Sequence, residues 1–156
     1  LLQKEPSAQD VISLLEAEQD VAEIVFCGLG EPTMRLGVLL EVAAYLKTRG
    51  SHIRINTNGQ GSAYAQEDIA PKLKGLIDVV SISLNASDAQ KYDKLCRSAY
   101  GEEAYAHLLN FAKSCVAQGI ETVLSVVDII GEDEVEKCRK IAEGIGARLR
   151  VREYIG

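Results

Sequence analysis

Within residues 25–33 the run Gly28-Leu29-Gly30-Glu31-Pro32-Thr33 sets a carboxylate between a glycine and a proline, directly after the short apolar stretch Ile24-Val25-Phe26. The glycines let backbone approach a ligand without interference from a Cβ, and Pro32 fixes φ as the chain turns. Glu31 adds negative charge beside exposed backbone carbonyls. That combination suits a cation, either an ammonium or, with water, a divalent metal. A tight turn with no ligand is the alternative reading of the same residues.

Other reactive side chains offer less. Cys27, Cys96, Cys115 and Cys138 are far apart, form no CxxC or other metal-ligand spacing, and read as buried free thiols. Two histidines, His52 and His107, leave no material for a Ser-His pair or a histidine-rich zinc site. No metal ligand is assigned. Glu31, Asp128 and Glu153 could together serve a carboxylate-metal hydrolase or lyase.

The elements that must position these groups alternate between helix and strand. Ser7 caps a first helix with Val11, Leu14 and Leu15 on one face, closed by the polar run from Glu16 to Asp20. The spacing then predicts strands over 23–27, 52–57, 78–85, 122–128 and 148–154. Helices are predicted over 36–49, 68–73, a segment ending at Arg97 behind a Ser87/Gln90 capping box, 102–118 and 132–145. Residues 60–66 read as a loop. The Gly28–Thr33 motif therefore lies on a strand-to-helix turn.

Such alternation predicts parallel strands with right-handed crossovers. Parallel strands covered on both faces should be wholly apolar, yet three here are polar at every second residue. They are His52, Arg54 and Asn56; Ser81, Ser83 and Asn85; and Arg148, Arg150 and Arg152. Because successive side chains point to opposite faces, one sheet face is polar. A partly open barrel with a polar lumen accounts for this better than a doubly wound sheet, while an uncovered face or a chain interface is the alternative. The arginines would line that lumen and favour an anionic substrate, unless they serve only salt bridges. Ligands of α/β proteins bind at the C-terminal ends of the strands, here Gly28–Thr33, Thr57-Asn58-Gly59, Ser83 and Asn85, Asp128, and Arg152-Glu153-Tyr154.

Length and composition bound the rest. The chain has 156 residues, 47% hydrophobic and 26% charged, which is the size of one domain with its own core. No apolar run approaches the roughly 18 residues of a membrane span. The net charge of −6 gives no electrostatic drive toward nucleic acid. The first residues lack the layout of a secretory signal, which points to the cytoplasm.

Gly28-Leu29-Gly30-Glu31-Pro32-Thr33, followed by Asn56-Thr57-Asn58-Gly59 and then Ser81-Ile82-Ser83-Leu84-Asn85-Ala86, resembles the radical S-adenosylmethionine enzymes in order and spacing. The stretch from Asp88 to Gly101, with Tyr92, Leu95, Cys96 and Arg97 before Tyr100-Gly101, is more particularly similar to a group associated with TatD-type nucleases. The resemblance implies the later strands of a six-unit partial (β/α) barrel, TIM-like and built of parallel strands, as a single domain over 1–156. It implies an S-adenosylmethionine ammonium at Gly28, Gly30, Glu31 and Pro32. Carboxylate and ribose would fall to Ser83, Asn85 and Asp128, with Asn58 shaping the rim and adenine near Tyr154.

Family members also carry a CxxxCxxC loop whose thiolates hold a [4Fe-4S] cluster. The reduced cluster cleaves S-adenosylmethionine to a 5′-deoxyadenosyl radical, which abstracts hydrogen from substrate. These 156 residues contain no such loop and start as though the first β unit had been removed. The expectation is an incomplete enzyme domain, inactive alone, that binds a small-molecule cofactor and a substrate of unknown identity and self-associates through an exposed sheet edge. The catalytic residue is unassigned. A non-catalytic barrel-like binding module is the alternative.

Overall fold

The computed structural model describes residues 5–18, 22–28 and 30–155. Five strands, β1 (Glu23–Phe26), β2 (His52–Thr57), β3 (Val79–Ser83), β4 (Glu121–Val127) and β5 (Arg148–Arg152), form one sheet in sequence order. Every pairing is parallel. The helices are α1 (Ala8–Glu16), α2 (Leu36–Thr48), α3 (Gly61–Ala65), α4 (Ala70–Leu73), α5 (Ala89–Cys96), α6 (Glu103–Ala117) and α7 (Glu132–Ile145). The sheet is not closed. This is an α/β fold consistent with a partial TIM-like barrel: the alternating pattern gives the parallel strands, and their sequential order is that of a barrel and not of a doubly wound sheet. No helix among the described residues is long and apolar enough to cross a membrane.

The core lies on one side of the sheet. Ile53 and Ile55 of β2, Val80 and Ile82 of β3, and Leu124 and Val126 of β4 point into it and are fully buried. Leu39, Val42 and Leu46 of α2, Leu108 and Phe111 of α6, and Cys138 and Ala142 of α7 belong to the same apolar cluster. Alternate residues of the same strands face the other way. Register aligns Arg54, Val79 and Glu121 in one row, Asn56, Ser81, Val123 and Arg148 in the next, and Ser83, Ser125 and Arg150 in a third. The period-2 polarity of the sequence is therefore one continuous concave face.

Four local details depart from expectation. In α1 Ala8 and Ile12 are buried and Val11 and Leu15 pack on the core, whereas Leu14 is 74% exposed, because the spacing 8, 11, 12, 15 makes the inward face and leaves position 14 off it. The predicted loop over 60–66 contains α3, which is too short to show periodicity and is shaped by packing on Thr33. Asp88, not Ser87, caps α5, accepting from Lys91 N–H at 2.9 Å, while Ser87 donates instead to Glu134 at 2.6 Å. Short 3-10 turns at Pro32–Arg35 and Asp128–Ile130 tighten the exits from β1 and β4. Leu29, Gln19 and Asp20, which figure in the sequence reading, lie outside the described residues.

Candidate functional site

The end of β1 is fastened to the end of β2 through Glu31. Its Oε1 accepts from Thr33 N–H at 3.1 Å, from Thr33 Oγ1 at 2.6 Å and from Thr57 Oγ1 at 2.6 Å, and its Oε2 accepts from Asn58 N–H at 2.8 Å. Thr57 Oγ1 in turn accepts from Gly59 N–H at 3.0 Å. Charge-assisted bonds of this length are the strong ones, so the two strand ends are held as a unit. Three of the four bonds fall on Oε1, which leaves Oε2 the less occupied oxygen.

Two glycines allow the turn to sit this close to its neighbours. Gly59 has φ of +78°, and a Cβ there would lie 2.8 Å from Leu108 Cβ. A Cβ at Gly61 would lie 2.4 Å from Thr33 Oγ1. Both approaches require hydrogen in place of a side chain. Between them, Gln60 donates Nε2 to the carbonyl of Ala104 at 2.8 Å and its Oε1 meets His107 Nδ1 at 3.2 Å, which locks the β2 turn to α6.

Two cavities meet at Glu31. One, of about 670 Å³, lies over the ends of β2 and β3 and is lined by Glu31, Asn58, Ser83 and Asn85, with Tyr92, Cys96 and Tyr100 on its walls. The other, of about 640 Å³, runs beside β1 and is lined by Gly28, Gly30, Glu31 and Pro32 against apolar residues of α1 and α2. Met34 and Tyr64 border both. Asn85 adopts φ of +59° and donates Nδ2 to Cys96 Sγ at 3.3 Å. Burial raises the pKa of the Tyr92 phenol, and the neighbouring Cys96 raises it further.

Asp128 and Tyr154 line neither cavity. They are joined at the β4–β5 rim, where Asp128 Oδ1 accepts from Tyr154 N–H at 3.0 Å. Tyr154 is 62% exposed. The sequence places Thr33 and Thr57 among the strand-end residues but assigns neither a partner, and the structure makes both hydrogen-bond donors to Glu31. A polar residue at the core-facing parity of β2 was the available signal for Thr57, which is buried.

The cysteines occupy four separate surroundings. Cys27 is exposed, because it follows edge strand β1, and Cys96 is half-buried against the cavity; the expectation of four buried thiols holds only for Cys115 and Cys138. Burial pushes the Cys115 thiol up to about 12 and Cys138 up to about 11, the latter helped by Glu134. Among the described residues no group of three or more His, Cys, Asp or Glu side chains could hold a metal ion. These residues do not fit an iron-sulfur cluster.

The radical SAM superfamily sequence pattern matches residues 2–143, most of the chain. The chain belongs to the radical SAM superfamily. A relative from Methanocaldococcus jannaschii, bearing the name "Putative glycyl-radical enzyme activating enzyme", is 28% identical over 123 residues, covering 76% of this chain and 50% of that protein. This radical SAM chain thus spans half the length of the curated relative it matches. That relative is no TatD-associated protein, so the narrower likeness drawn from Asp88–Gly101 is replaced by the broader family.

Proposed function

We propose that this radical SAM chain binds S-adenosylmethionine along the strand-end rim, its methionyl and ribose groups at β1, β2 and β3 and its adenine toward the end of β5. The observation that carries the reading is the convergence of Glu31, Asn58, Ser83 and Asn85, from three successive strand ends, on one cavity. Gly28, Gly30 and Pro32 line the adjoining cavity that shares Glu31 with it. The methionyl ammonium is assigned to the Gly28–Pro32 backbone and the less occupied Oε2 of Glu31. Ser83 and Asn85 are assigned to carboxylate and ribose hydroxyls, which their hydroxyl and amide can meet as donors or acceptors. Asp128 acts on the rim by fixing Tyr154, near which adenine is assigned.

In enzymes of this superfamily a [4Fe-4S] cluster and S-adenosylmethionine together supply the radical that abstracts hydrogen from substrate. The four cysteines of this chain do not fit the cluster, so its thiolates are assigned to residues of the complete protein outside these 156. Here the protein's own residues bind the cofactor, orient it and narrow its access to water through Tyr64, Tyr92 and Tyr100. A protein substrate is the finer form of the proposal, supported by the relative's name.

Calorimetric titration with S-adenosylmethionine tests the cofactor reading. Binding is expected, and Ser83→Ala and Asn85→Ala should each weaken it about 5- to 100-fold, as loss of one or two hydrogen bonds implies. Absence of any saturable heat, or unchanged affinity in both variants, would overturn it.

A further inference from the structure

The concave face carries a second recess, at the opposite end of the strands from the rim. Its volume is about 370 Å³, and its floor is Val79, Ser81 and Val123. Among the described residues only strand side chains line it, yet Val79 is 8% exposed and Val123 only 3%. The long side chains of Arg54 on one side and Arg148 and Arg150 on the other wall them in.

The charge of the recess opposes that of the chain. Three guanidiniums face two carboxylates, Glu23 and Glu121, in a protein of net charge −6. Pairing is incomplete. Arg148 Nη2 donates to Glu121 at 2.9 Å, but Arg54 Nη2 reaches Glu23 only at 3.4 Å. Arg54 Nε is buried with no hydrogen-bond partner among the described residues. Arg150 makes no ion pair or hydrogen bond among the described residues. A buried guanidinium donor is seldom left unmet, and an oxyanion is its natural complement because two parallel N–H groups match two oxygens.

We propose that this recess binds the oxyanion of a ligand, a carboxylate or phosphate group, held by Arg54 and Arg150 over the Val79–Val123 floor. The valines would take the apolar carbon next to the charged group, and Ser81 Oγ offers a further donor. Glu23 competes with the anion for Arg54. The site is independent of the cofactor assignment, since none of its residues lines the rim cavities.

Arginine Nε–Hε resonances of the protein, titrated separately with inorganic phosphate and with succinate at constant ionic strength, test the proposal. A saturable shift of the Arg54 signal is expected with at least one anion, and which one shifts it distinguishes phosphate from carboxylate. Arg54→Gln and Arg150→Gln should each weaken binding by about tenfold or more, as loss of a charge-assisted bond implies. Glu23→Gln, which removes the competitor and leaves both arginines, should tighten it. No saturable shift with either anion, equal affinity in Arg150→Gln, or weaker binding in Glu23→Gln would overturn the proposal; Arg150 is exposed, so its variant is informative even if Arg54→Gln fails to fold.

Discussion

Thr57 Oγ1 donates a hydrogen bond to Glu31 Oε1 across a gap of 26 residues in sequence and 2.6 Å in space. The bond ties the turn after β1 to the end of β2, and Gly59 N–H closes the chain of donors behind it. Thr57→Val keeps the shape and removes both roles of the hydroxyl. It should lower stability by about 1.5–3 kcal/mol, the range for a hydrogen bond to a charged group. The denaturation midpoint in urea, at unchanged m-value, measures this, and an unshifted midpoint would contradict the structural role given to Glu31.

Two glycine substitutions should move stability in opposite directions. Gly59→Ala places a Cβ 2.8 Å from Leu108 Cβ at a φ of +78°, and the combined clash and strain should cost about 2 kcal/mol or more. Gly144→Ala lies inside α7 with open space around the added methyl and should gain about 0.5–1 kcal/mol. Paired thermal melts compare the two.

Acid should release the tie between α2 and the β2–β3 edge. Lys47 Nζ donates to Asp78 Oδ1 and Oδ2 at 2.7 and 2.6 Å, and Ile53 N–H donates to Oδ2 at 2.7 Å. Partial burial pushes Asp78 up, but the Lys47 and Ile53 hydrogen bonds together outweigh it and hold its pKa below the ordinary 3.8. Since the folded value is the lower, the stabilisation is complete above pH 3.8 and is lost as pH falls through the folded value. Melting temperatures of the wild type and Asp78→Asn should accordingly differ most above pH 3.8 and converge as pH falls through the lowered folded value; a constant gap would refute this.

Thiol reactivity should separate the cysteines. Alkylation at pH 8 followed by peptide mass mapping is expected to modify exposed Cys27 first, with Cys115 and Cys138 protected until the protein unfolds. Burial both excludes the reagent and raises the two thiols to about 12 and 11, which leaves little thiolate. Rapid labelling of Cys115 in the native protein would show that α6 opens readily.

Much of the fold was legible because its signals are local. Strand β2 and helix α7 begin and end where periodicity and caps place them, and Arg54, Ser81 and Arg150 share the face that their alternation assigns. The missed features arise from contact across the chain. Gly61 opens α3 packed so close to Thr33 that no Cβ would fit, and Ser87 bonds Glu134 while Asp88 caps α5.

For the candidate site, sequence alone determined that Gly28–Thr33 is a strand-to-helix turn beside a polar face, since residue type and period fix local conformation and parity. Tertiary structure decided which groups meet. Parallel register brought Thr57 and Asn58 onto Glu31, divided the rim residues between two cavities, and set Asp128 against Tyr154. Hydrogen bonds form between atoms brought within about 3 Å, and no local pattern specifies which residues, tens of positions apart, the sheet will align.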